Sequence, residues 1–98
     1  MAEERSHKIT ANRIANKFGV EYNNGEGVDI KSRHATIEVE TPDTVKEATS
    51  QLQGHRGPVY IAGTNQDAVN KALEISKGKT IGVMDNQGNI IKRSTRRK

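Results

Sequence analysis

From His34 to Glu40 the chain alternates strictly, with Ala35, Ile37 and Val39 on one side and Thr36, Glu38 and Glu40 on the other. Residues two apart share a face of a strand, so this run predicts a β-strand with one buried face. Thr41 and Pro42 follow at once. A hydroxyl there can cap a helix, and proline suits the first helical position because its missing donor costs nothing. A strand that stops where a helix starts implies a crossover and an α/β chain.

The flanking segments fit that frame. Ala11, Ile14, Ala15 and Phe18 recur at helical spacing and Gly19 follows, so residues 8–18 predict a helix whose other face is basic. The stretch VEYNNGEGVDI predicts a strand, an Asn-Asn-Gly turn and a second strand. After Pro42, the stripe Val45, Ala48 and Leu52 marks a helix ending at Gly54. PVYIAG suits an interior strand, and Asn65 caps a helix lined by Ala68, Val69, Ala72, Leu73 and Ser76 and closed by Gly78. TIGVMD, the turn NQG and NII complete a final strand or hairpin. The expected order is α-β-β-β-α-β-α-β, a small mixed sheet flanked by helices.

Composition narrows the possibilities. A chain of 98 residues with 32% apolar and 3% aromatic side chains supports one modest aliphatic core. It has no cysteine, which excludes disulfides and thiolate zinc sites. No apolar run approaches the roughly 20 residues of a membrane span, and MAEERSHK does not read as a signal peptide. A soluble, cytoplasmic protein is expected. The net charge of +4 is unevenly placed, because five basic side chains fall in residues 92–98. A domain over 1–91 and a basic flexible tail over 92–98 follow. Arg5, Lys8, Arg13 and Lys17 form a second basic stretch without acids. Basic ends around a slightly acidic middle suit a protein that grips phosphates, with Arg13, Lys17, Arg93, Arg96 and Arg97 as the contacts.

The acidic middle holds the candidate chemistry. Asp29 and Lys31 share one strand face, and Glu38 and Glu40 share a face of the next. Carboxylates gathered in a sheet repel one another and lose solvation, so something must compensate them. If Asp29 lies beside Glu38, three carboxylates and one ammonium converge, and a hard cation such as Mg²⁺ or Mn²⁺ is the natural counterion. Such an ion polarises a phosphodiester and activates water.

The leading helix, GVDI, IEVE, a helix with QLQG and then PVYIAG together resemble the core of the PD-(D/E)XK nuclease superfamily, across roughly residues 8–84. The resemblance implies a restriction endonuclease-like core and Mg²⁺-dependent hydrolysis of DNA. It makes Asp29 and Glu38 the metal ligands and Gln51 the helix glutamine. Where the family usually places Lys, this chain has Glu40, read as a ligand or water-orienting base, with Lys31 as a charge stabiliser from the adjacent strand. A domain this small covers little duplex, so cutting both strands calls for a homodimer.

Other accounts of the same residues stand beside this one. A solvated sheet face balanced by Lys31, Arg33 and His34 explains the acids without chemistry. A non-catalytic nucleic-acid-binding or regulatory module of similar fold, or a protein-interaction domain, explains the basic ends. His7, His34 and His55 lack metal-ligand spacing and are read as surface residues, His34 alternating toward Glu38. The glycines of GVEYNNGEGV lack the strand-to-helix context of a nucleotide-binding loop and are read as turn formers.

Overall fold

The computed structural model describes residues 5–22, 28–52, 54–55 and 57–95. Helix α1 spans Arg5–Lys17, starting earlier than the periodicity predicts. It ends where Gly19 turns to φ +71. The Val20 N–H donates to the Ala15 carbonyl at 3.0 Å and the Gly19 N–H to that of Asn16 at 3.1 Å, which satisfies two otherwise orphaned carbonyls.

Residues 20–22, expected as a strand, form none. Val20 and Tyr22 pack against the sheet instead. The expected Asn-Asn-Gly turn lies outside the described residues. Strand β1 is only Ile30–Lys31, β2 is Thr36–Glu40 and β3 is Val59–Gly63. The helix expected from Pro42 is a turn, a 3-10 turn over Val45–Glu47 and the short helix α2 over Ala48–Leu52. Thr41 does not cap it: its N–H donates to the Thr44 hydroxyl at 3.0 Å. Helix α3 spans Gln66–Ile75, and the Asn65 side chain caps it by accepting from the Ala68 N–H at 2.9 Å. Strands β4, Gly82–Met84, and β5, Ile90–Lys92, form the closing hairpin.

The molecule is a small mixed α/β protein with five strands in chain order. β2, β3 and β4 are parallel, and β1 and β5 are antiparallel edges. Two strands precede α2 where three were expected, and the fifth strand comes after β4. α2 and α3 cover one face with a core that includes Val45, Leu52, Val59, Ile61, Val69 and Val83. α1 covers the other, over Ile14, Ile30, Ile37, Val39, Tyr60 and Met84. Trimming a buried Ile or Leu of this kind to Ala costs about 2–5 kcal/mol. Gly63 sits where β3 meets the start of α3; a Cβ there would lie 2.6 Å from the Val69 nitrogen, so no larger residue fits.

One consequence decides the site. Because the crossover helices α2 and α3 cover one sheet face and α1 the other, every residue of β2 is buried, not the single face that alternation predicts. Glu38 and Glu40 are 3% and 6% exposed.

At the other end, the sheet extends into the segment expected as a tail. Lys92 belongs to β5, and its ammonium donates to the Ser76 carbonyl at 2.6 Å. The Ser94 hydroxyl donates to the Thr80 carbonyl at 2.8 Å. No helix among the described residues is long and apolar enough to cross a membrane.

Candidate functional site

Asp29 lies at a bend just before β1. The pairing of Ile30 with Ile37 and of Lys31 with Thr36 sets it opposite Glu38. Its side chain does not lie on the sheet face with that of Lys31: Oδ2 accepts from the Val39 N–H at 2.9 Å, replacing the next rung of the ladder. The same oxygen lies 3.2 Å from His7 Nε2 on α1. Three chain segments far apart in sequence therefore converge on one carboxylate.

Glu38 points into the α2 side of the sheet. Its carboxyl is pushed up to about 9, first by burial and then by a hydrogen bond with the Asp29 carboxyl and the charges of Asp29 and Glu40; the Asp29 backbone N–H opposes the rise. Oε2 is buried without a hydrogen-bond partner. Glu40 is pushed up to about 7 by burial first, with the Asp29 and Glu47 charges adding and the Thr44 hydroxyl and His7 opposing. Near neutral pH Glu38 is uncharged, and it and Asp29 are linked by a hydrogen bond. Two carboxyls this close seldom both ionise.

Beside Glu38, a cavity of about 160 Å³ is lined by Val28, Gln51 and His55 as well. Gln51, exposed on α2, lines this cavity. His7 and His55 are half-buried: His7 lies against Asp29, and His55 lines the same cavity as Glu38. His34 belongs to an exposed turn and lines a separate hollow with Ser32, Arg33 and Pro58. Lys31 is exposed, and no ion pair joins it to Asp29, Glu38 or Glu40 among the described residues. Its expected approach to the acids is not found, because Asp29 leaves the strand before the two can share a face.

The expected phosphate contacts are dispersed. Arg13 donates to the Asn86 carbonyl at 3.1 Å, and Lys17 to the Gly88 carbonyl at 3.2 Å, so both clamp α1 to the β4–β5 turn. Arg93 is exposed, and Arg96 and Arg97 lie outside the described residues.

His7 is the site residue that sequence reasoning missed. The signal was present: positions 7, 11, 14 and 18 share one helical face, so His7 extends the apolar stripe by one turn.

Among the described residues, no group of three or more His, Cys, Asp or Glu side chains could hold a metal ion unaided. Asp29 and Glu38 nevertheless fit part of a divalent site. Both are hard oxygen donors, and Glu38 Oε2 lacks the donor that a buried oxygen requires. No protein-family model, curated protein or solved structure matches the chain.

Proposed function

We propose that the chain is a nuclease-like, DNA-binding protein whose Asp29 and Glu38 carboxyls hold Mg²⁺ or Mn²⁺ together with a phosphate of the substrate, for hydrolysis of a phosphodiester. The observation that carries this reading is the uncompensated Glu38 oxygen beside Asp29 at the mouth of a small cavity. A fold that buries two carboxyls with raised pKa values and, among the described residues, supplies no lysine or arginine to them is arranged at a cost to its own stability, and such sites are often functional. The PD-(D/E)XK resemblance of the sequence also supports this reading.

A divalent ion bound there would polarise the phosphodiester and favour ionisation of water. The residues do the rest. Asp29 is fixed by the Val39 N–H and is hydrogen-bonded to Glu38. To hold such an ion, Glu38 would have to lose its proton to solvent. Glu40, near its titration midpoint at neutral pH, can accept a proton from attacking water. Gln51 closes the cavity with a neutral donor and acceptor. Lys31 takes no part.

The test is cleavage of linear and four-way-junction DNA with Mg²⁺ or Mn²⁺. Asp29→Asn and Glu38→Gln should each lower the rate by at least about 100-fold while DNA binding persists, as expected for loss of metal ligands. Undiminished metal-dependent cleavage in both variants would sink the assignment.

A second reading, a DNA-binding module without catalysis, is favoured by the absence of any Lys or Arg side chain beside the acids among the described residues. It is recognised by binding that weakens steeply with salt and is indifferent to chelator.

A further inference from the structure

The sheet ends on β5, and the side of this strand turned away from β4 has no partner strand among the described residues. The Asp85 N–H donates to the Asn89 carbonyl at 3.0 Å, and Met84 pairs with Ile90 one step further along. Alternation in an antiparallel ladder then turns the N–H and carbonyl of Ile90 outward, away from β4. The register shifts at the next step, where Val83 pairs with Lys92 and Ile91 has no residue opposite it. Ile90 and Ile91 are 43% and 50% exposed, two large aliphatic side chains side by side on an open edge. Proteins ordinarily avoid that combination, because it is a template for another strand.

The surroundings are basic. Arg93 is exposed directly after the strand, and five of the residues 92–98 are Lys or Arg. The Lys92 ammonium donates to the carbonyls of Ser76 and Lys79, which brings the exposed Lys77 and Lys79 to the same end of β5. Against these stand Glu74 on α3 and Asp85, whose oxygens are taken by its own turn. Open main-chain groups beside aliphatic side chains suit an extended polypeptide, whereas isoleucines offer a nucleic-acid base nothing to stack on. Charge selects the kind of polypeptide. A second copy of this chain brings the same positive excess and is repelled, while an acidic segment is attracted.

We propose that β5 is a docking strand, on which an acidic, extended segment of a partner protein adds to the sheet. Its main chain would bond to Ile90, its apolar side chains would cover Ile90 and Ile91, and its carboxylates would face Arg93 and the basic end. This docking needs neither the acidic cavity nor a cation.

The test titrates the full chain with a synthetic peptide of alternating Val and Glu, and separately with its Val-Lys counterpart and with single-stranded DNA. The acidic peptide should shift the amide signals of residues 89–93 and slow hydrogen exchange at the Ile90 N–H, open in the free chain, by at least about tenfold. Arg93→Glu should raise its dissociation constant by about tenfold, as an attraction at the rim becomes a repulsion. Ile90→Pro removes a donor that the ladder with β4 does not use, and should abolish the protection. Arg93→Glu alters an exposed side chain outside the core, so it decides the matter even if Ile90→Pro fails to fold. No shift at millimolar acidic peptide overturns the docking strand. Equal shifts from the Val-Lys peptide or from DNA, without slower exchange at Ile90, overturn it in favour of an unselective surface. Signals of β5 that move with the concentration of the chain alone overturn it too, by giving the edge to a second copy.

Discussion

Two carboxylate regions of this molecule are built on opposite plans. At the β4–β5 turn, Asp85 Oδ1 accepts from the Gln87 and Asn89 N–H groups at 2.9 Å each, and Oδ2 accepts from the Asn89 amide at 3.1 Å. Burial works against its ionisation, yet these donors and nearby Lys17 prevail and hold it below 3.8. At β1–β2 the acids face one another, burial dominates, and the pKa values of Glu38 and Glu40 rise. The difference shows that backbone donors keep one carboxylate ionised while burial among other acids keeps another neutral. Asp85 organises a turn; Glu38 is held neutral beside Asp29 and Glu40.

The sharpest way to break this comparison is pH. Glu38 titrates near 4.5 when unfolded and near 9 when folded, so the native state binds the proton more tightly. That contribution is present below about 4.5 and is lost as pH rises toward 9, with Glu40 adding to the fall up to about 7. Asp29, Glu40 and Glu47 oppose ionisation in this cluster, and His7 and Thr44 assist it. Calorimetry of the metal-free protein should show the melting temperature dropping between pH 5 and 9 by more than about 5 °C, since about 1 kcal/mol moves a domain of this size by 4–8 °C. Glu38→Gln should flatten most of that slope. A wild-type curve as flat as the variant's would refute the buried, neutral Glu38.

Asp29 offers a second break, because its two roles can be separated. Asp29→Ala leaves the Val39 N–H without its acceptor, which should cost about 1–3 kcal/mol in chemical denaturation. Asp29→Asn keeps an acceptor while removing the charge that raises Glu38, and should be close to neutral in stability although deficient in cation binding. Equal losses in both variants would show that the charge, and not the hydrogen bond, holds the edge.

The Asp85 side should respond more weakly and with the opposite sign. Its stabilisation is present above its ordinary pKa and is lost as pH falls below it. Asp85→Ala should cost about 1 kcal/mol at neutral pH, the net worth of a few partly exposed hydrogen bonds. Lys17→Ala should cost the least, about 0.5 kcal/mol, by loosening α1 from the same turn. A larger loss from Lys17 than from Asp85 would place the anchoring in the helix instead.

Much of the architecture was legible in the sequence because it rests on local rules. The α3 stripe with Asn65, the glycine after Phe18 and the buried run 59–63 each encode their element within about ten residues. The nearness of Asp29 to Glu38 was read only on condition that their strands pair in one register, which the structure supplies. What escaped depends on distant segments. Alternation at 35–40 reports that two faces differ, but α2 and α3, which start 8 and 26 residues after Glu40, decide whether the polar one is covered. The contact of His7 with Asp29 spans 22 positions. Residues 20–22 have strand composition, yet they pack beneath α1, because Gly19 turns the chain back toward that helix. The 42–52 segment begins like one helix, but Thr44 opens a 3-10 turn without a side-chain cap, and only Ala48–Leu52 is α-helical.

The bond from the Val39 N–H to Asp29 also bears on solubility. β1 is two residues long, so β2 beyond Ile37 would otherwise present a bare donor at the border of the sheet. An unguarded donor there is a template on which a strand from another chain can add. The Asp29 carboxylate covers that donor with a charge, which a foreign strand would have to bury. The residue proposed to hold a cation is therefore also a guard against self-association.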